Sequence, residues 1–405
     1  MNKNIKDEFP FFLNNKEVTY LDSAASSLKL NSVIKRLTDY YVNNGTNIHR
    51  GVYKLSHEAT EAFEATRVNV AKLINSKTEE VIFTKGTTDS LNKLAISLAS
   101  LINEGDEIIT SELEHHSSLL PWQEIARLKN AKLVYVPLND EGRITVDNFK
   151  KVINNNTKIV ALTHVSNALG FLTPIKEIVK EVRKYNAYVI LDAAQSISHM
   201  KIDVKDLDID FLAFSAHKMY GPNGVGVLYG KDHLLRKIPP FEFGGEMAHL
   251  VNKDISTYKD IPHKFEAGTP VIGEVIAFNE AVLFFLNNDM EKHYKNELLL
   301  KEYLVNELLK IDDIIIYNKS AESPIITLNI KDIHPHDAAS ILDEYNVYVR
   351  AGHHCAQLVN KHLEVVSTLR VSIGIYNNKE DVERFVFAIK KAIEFFKQFG
   401  WYNAN

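Results

Sequence analysis

Cysteine is what this sequence has least of: Cys355 is the single one among 405 residues. No internal disulfide can form, and there is no Cys-x-x-Cys pair to hold a metal. No uninterrupted apolar run approaches the ~20 residues that a membrane-spanning helix requires. A dense Lys/Arg block is also missing and the net charge is −5, which argues against a nucleic-acid or anionic-membrane surface. The opening MNKNIKDEFPFFLNN has no apolar core before a small-residue cleavage site, and it is not Arg-rich and acid-poor. Neither a secretory leader nor a transit peptide is indicated, and a cytoplasmic location is expected. Internal repeats are absent.

What remains is ordinary globular material. Apolar residues make up 45% and charged ones 24%, enough for a large core. A chain of this length predicts about two or three domains at ~150 residues each. β-prone runs alternate with helical ones. EVIFT (80–84), DEIITSE, KLVYVPL, KIVALTHVS and YVILDAAQ read as strands. DSLNKLAISLASLI, LPWQEIARLKN, TVDNFKKVI and PIKEIVKEVRKYN read as the helices between them. This alternation implies right-handed crossovers and an α/β fold with a mostly parallel sheet covered on both faces.

FLAFSAH and GVGVLYG are joined by a Gly- and Pro-containing turn with no room for a helix, so one of them runs antiparallel. From Val271 a long helical stretch follows, with a break expected at Asn287–Asn288. The remainder reads strand, helix, strand, loop, strand and helix. The expected division is a large domain over 16–285 and a small α+β domain over 286–405 that includes 1–15.

The chemistry concentrates between Tyr188 and Gly230. Asp192 and Gln195 follow one strand, and Ser215, His217 and Lys218 follow the next. Ligands bind at the carboxyl ends of parallel strands in open α/β sheets, so these side chains converge on one crevice. Taken singly, a Lys after a strand is a solvated surface residue. The set is more specific. Pyridoxal phosphate requires a lysine amine, a carboxylate for its pyridine nitrogen, a donor for its phenolate oxygen and a cradle for its phosphate.

Further groups join them. Gly86-Thr87-Thr88 lies between a strand and a helix, where backbone N–H groups can hold a phosphate or simply cap the helix. Glu114-His115-His116 ends another strand, and an imidazole there can stack on an aromatic ring. The paired histidines have no acidic or cysteine partner at metal-ligand spacing. Asn167 offers an amide at the same sheet edge. Arg350-Ala351-Gly352-His353-His354-Cys355 places the lone thiol beside an Arg and two His, the setting of a reactive rather than an inert cysteine. Arg370, at the start of a strand, can grip a carboxylate in bidentate fashion.

These residues sit in YLDSAAS, NIHRGVYKLS, GTTDSLN, EHHSSLLPWQ, HVSNALG, DAAQS, FSAHKMYGPNGVG, GGEM, FEAGTP, RAGHHCAQ and LRVSIGIYN. With these motifs the chain resembles, over nearly its whole length, the class V aminotransferase-like, pyridoxal-phosphate-dependent family. Within that family it is similar to the Suf-type (group II) cysteine desulfurases. The resemblance implies the aspartate aminotransferase-like fold, in which Lys218 carries the cofactor and His115 stacks on it. Asp192 then pairs with the ring nitrogen and Gln195 with the phenolate oxygen, while Thr87, Thr88, Ser215 and His217 hold the phosphate. It also implies a homodimer in which Thr269, His49 and Arg50 approach the partner's site.

Asn167 and Arg370 would bind the substrate carboxylate, with Arg350 beside them, and Cys355 would accept sulfur. The implied activity converts L-cysteine to L-alanine and leaves a persulfide on Cys355, which a Suf-type acceptor protein collects for iron–sulfur cluster assembly. A selenocysteine lyase of the same fold and a catalytically silent cofactor-binding scaffold are the alternatives. Ala351, Leu358, Lys264 and Phe243 depart from the usual Thr, Pro, Arg and Gly of the pattern.

Overall fold

A computed structural model describes residues 5–398; the ends of the expected small domain, 1–4 and 399–405, lie outside the described residues. Seven runs rich in Val, Ile, Leu and Phe form one sheet. They are β1 (Val81–Thr84), β2 (Glu107–Ser111), β3 (Lys132–Val136), β4 (Thr157–Thr163), β5 (Tyr188–Asp192), β6 (Phe211–Ser215) and β7 (Gly226–Gly230). Their order is β1-β7-β6-β5-β4-β2-β3. Only β7 runs against its neighbours, β6 and β1, because the ten residues between Ser215 and Gly226 form a 3₁₀ turn and a Gly-Pro-Asn-Gly bend rather than a crossover helix.

Successive residues of a strand point to opposite faces, and both faces are apolar. Val189, Leu191, Leu212 and Phe214 join one core with residues of α2 (Lys54–Ile74), α5 (Ile175–Val182) and α6 (Ile272–Asn287). Ile190, Phe211 and Ala213 join another with Leu94 of α3 (Thr87–Leu98) and Trp122 of α4 (His116–Lys129). Burial on both faces is why these strands read as nearly continuous apolar runs. The helix α1 (Asn31–Asn43) precedes α2 and packs on α6.

The long helical stretch breaks where expected. α6 ends at Asn287, and Asp289 caps α7 (Met290–Leu308) by accepting from Lys292 N–H at 3.0 Å. A second, antiparallel sheet follows, with β8 (Ile314–Ile316), β9 (Ile325–Ile330), β10 (Arg350–Gly352) and β11 (Thr368–Ser372) in the order β8-β9-β11-β10. Its core joins Leu328 and Val371 to Leu304 of α7, Leu342 of α8 (Pro335–Glu344) and Phe385 of α9 (Lys379–Gln398). Details differ from the sequence expectation: two strands, β8 and β9, precede α8 where one is expected, and PIKEIVKEVRKYN is helical only over Ile175–Val182. TVDNFKKVI is helical only over Val146–Lys150, and the loop after β10 contains a short helix, Gln357–His362. Among the described residues no helix is long and apolar enough to cross a membrane.

Candidate active site

A cavity of about 540 Å³ opens where the carboxyl ends of β1, β2, β4, β5 and β6 meet the β10–β11 edge of the second sheet, within the ~300–1,000 Å³ usual for small-ligand pockets. Its first wall begins at Gly86, with φ +152°. A Cβ on Gly226 would lie 2.4 Å from the Gly86 Cα, so glycine at 226 lets the two backbones cross in contact. That crossing lowers the start of α3 onto the end of β6. Thr87 N–H donates to Ser215 Oγ at 2.7 Å, and Thr88 Oγ1 lies 2.6 Å from Ser117 Oγ. The positive end of a helix dipole and two hydroxyl pairs meet there, as an anion requires.

Asp192 ends β5, buried, with Oδ1 accepting from Ala194 N–H at 2.9 Å. Burial pushes its carboxyl above the ordinary value, against the opposing pull of Lys218. Gln195 Nε2 donates to the Ala24 carbonyl at 2.8 Å, which leaves a second amide N–H. Desolvation pushes the Lys218 amine down to about 8, opposed by Asp192 and helped by Arg370. His217 is held neutral, at about 4, by burial and then by Lys218 and Lys29. His115 caps α4, its Nδ1 accepting from Ser117 N–H at 3.1 Å. Burial, Lys218, His116 and Arg370 push it to about 3, so the ring is neutral with its proton on Nε2.

The opposite wall comes from far along the chain. Arg370, 2% exposed on β11, donates from Nη1 to the Asn167 carbonyl at 2.8 Å and from Nη2 to Asp22 Oδ1 at 3.3 Å. Arg350 Nη2 donates to Asp22 Oδ2 at 2.9 Å. Asn167 Nδ2 donates to the His354 carbonyl at 2.6 Å, and Cys355 stands exposed at the rim. Arg370 Nε and Asn167 Oδ1 are buried without a protein partner, a donor and an acceptor left for a ligand.

Lys218, Cys355, His115, Thr87, Thr88, Asp192, Gln195, Ser215, His217, Asn167, Arg350 and Arg370 therefore line one cavity. Three of the residues implied by resemblance do not line it. Thr269 lies in a separate pocket beside Phe243 and Lys85. Arg50 Nε pairs with Glu246 at 2.8 Å, and His49 Nε2 lies 3.9 Å from Glu64. Asp22 and His116 line or brace the site without a prior assignment. Both lay within quoted motifs, YLDSAAS and EHHSSLLPWQ, but their roles depend on partners hundreds of residues away.

The sequence profile of the class-V aminotransferases matches residues 19–385. A probable cysteine desulfurase of Halalkalibacterium halodurans is 44% identical over 397 residues, covering 97% of this chain and 98% of the relative. One from Staphylococcus epidermidis is 46% identical over 399 residues, covering 97% and 96%. The crystal structure of the cysteine desulfurase CsdA from Escherichia coli superposes with a TM-score of 0.91 at 35% identity, covering 96% of this chain and 98% of that one. The apo cysteine desulfurase of Thermococcus onnurineus gives 0.93 at 36% identity, covering 97% and 98%. Fold, cavity and full-length similarity agree: this chain belongs to the class-V aminotransferase family, among its cysteine desulfurases.

Proposed function

We propose that the chain converts L-cysteine to L-alanine with pyridoxal 5'-phosphate as cofactor, taking the sulfur onto Cys355. The observation that carries this reading is the convergence of Lys218, Asp192 and Cys355 on one cavity. The residues present fit the cofactor. The Thr87–Ser215 cradle suits its phosphate, buried Asp192 its ring nitrogen, Gln195 its phenolate oxygen, His115 its ring face and Lys218 its aldehyde. When bound, pyridoxal phosphate supplies the electron sink that stabilises charge at the substrate Cα.

The protein's own groups do the rest. Arg370 orients the substrate carboxylate through its buried, unpartnered Nε, and Asn167 does so through the amide N–H that the His354 carbonyl does not take. The Lys218 amine, with its lowered pKa, is suited to remove the Cα proton near neutral pH. Cys355 Sγ attacks the substrate sulfur. An S–S bond forms as the Cβ–S bond breaks, the electron pair left on Cβ takes a proton, and Lys218 returns a proton to Cα to give alanine. The persulfide on Cys355 then passes to an acceptor protein of the Suf type for iron–sulfur cluster assembly. The exposure of Cys355 supports delivery to a macromolecular acceptor. We propose also that the enzyme is a homodimer, with Thr269, His49 and Arg50 serving the partner's site.

Alanine release from L-cysteine, measured with a reductant present, tests the activity. Cys355→Ala should bind cysteine but release no alanine, and Lys218→Ala should show no turnover. Alanine release by either variant would overturn that residue's role.

A further inference from the structure

We propose that His116 is a positioning residue for sulfur transfer, holding the Cys355 loop in place from the N-terminus of α4. This rests on the reading of Cys355 as the sulfur acceptor. The loop needs holding: His354 and Cys355 have consecutive φ values of +52° and +55°, in the left-handed region that residues with a Cβ rarely adopt.

Four hydrogen bonds to other elements fasten it, one of them between His354 Nε2 and Thr368 Oγ1 of β11 at 2.9 Å. Asn167 Nδ2 donates to the His354 carbonyl at 2.6 Å. His116 N–H donates to the Cys355 carbonyl at 2.8 Å, and Gln357 N–H donates to His116 Nε2 at 3.3 Å. Two of the four therefore involve one residue, His116, which takes residue 355 with its main chain and residue 357 with its ring. A backbone N–H can only donate, so Nε2 presents a lone pair and the neutral ring carries its proton on Nδ1. Burial and the nearby His353 both act to keep the ring neutral. The neighbouring His115 accepts from Ser117 within its own helix. Adjacent imidazoles thus serve two tasks, one beside the cofactor site and one at the thiol loop.

The test compares His116→Ala and His116→Gln in the cofactor-loaded enzyme during a single turnover with L-cysteine. Persulfide on Cys355 is followed by intact-protein mass, and substrate binding by the change in cofactor absorbance. The backbone bond to Cys355 survives in both variants; only the ring contact to Gln357 is removed or replaced. His116→Ala should bind cysteine with an unchanged spectral response yet form persulfide on the order of 10- to 100-fold more slowly, the scale set by a misplaced reacting group. His116→Gln, whose side-chain oxygen can accept from Gln357 N–H, should regain most of the rate.

Wild-type persulfide kinetics in His116→Ala would overturn the proposal. So would an equal loss in both variants, or loss of the substrate spectral response together with persulfide, either of which would make His116 a residue of the fold. Absence of persulfide on Cys355 in the wild-type enzyme would instead remove the sulfur-acceptor reading itself.

Discussion

Arg370 Nη2 donates to Asp22 Oδ1 at 3.3 Å across 348 residues of sequence. The carboxylate compensates a guanidinium that is almost fully buried, and an unpaired charge there would be strongly destabilising. Asn167 occupies Nη1 through its carbonyl, while Nε has no protein partner. The guanidinium is therefore fixed in orientation by the protein and still has a donor to give. Arg350 shares the same carboxylate through Oδ2, so Asp22 links the strand that carries Arg370 to the strand that leads into the Cys355 loop.

Fixed orientation predicts intolerance of a flexible cation. Arg370→Lys keeps the charge but loses the planar fork. It should lower kcat/KM for L-cysteine by about 100-fold, or ~2.7 kcal/mol, chiefly through KM. Steady-state alanine release measures this. An unchanged KM would show that another group binds the substrate carboxylate.

The Lys218 amine, pushed by desolvation to about 8, must lose its proton before it can act as a base. Its free-base fraction rises as pH climbs through that value. At saturating cysteine, kcat should increase from about pH 7 to about pH 9, by up to ~10-fold per pH unit on the acidic side. A flat profile over this range would separate proton abstraction by Lys218 from the step that limits turnover.

Glu114, which precedes His115, is 1% exposed, with Oε1 accepting from Ser111 Oγ at 2.6 Å and Thr163 N–H at 3.0 Å. Burial pushes its carboxyl from 4.5 up to about 7. The folded state therefore binds more protons than the unfolded state between those values. Stability from this group is fully present below the lower value and is lost as pH rises through the higher one. Glu114→Gln keeps the acceptor and removes the charge. Its advantage over the wild type should be under about 1 kcal/mol at about pH 5 and grow to about 3 kcal/mol at about pH 8. Denaturant midpoints at the two pH values give the comparison; a gap of equal size at both would contradict a buried titrating carboxyl.

Much of the site was legible because its parts are local. A strand buried on both faces must end where polar residues begin, so Asp192 with Gln195, and Ser215 with His217 and Lys218, mark two strand ends. The turn between FLAFSAH and GVGVLYG was too short for a crossover helix, and β7 is antiparallel for that reason. Gly86-Thr87-Thr88 stood between a strand and a helix, and its backbone now meets Ser215.

The opposite wall follows another rule. Asp22 with Arg370, Asn167 with His354 and His116 with Gln357 are pairs 348, 187 and 241 residues apart. Periodicity reports which face of its own element a residue occupies; it carries no information on which distant segment that face will meet. By itself the sequence determined the sheet, its strand ends and the residue types gathered there. The tertiary structure decided which of them touch, because the second sheet brings Arg370 and the Cys355 loop over the first, and burial there makes each charge and each left-handed backbone turn depend on a partner supplied from across the cavity.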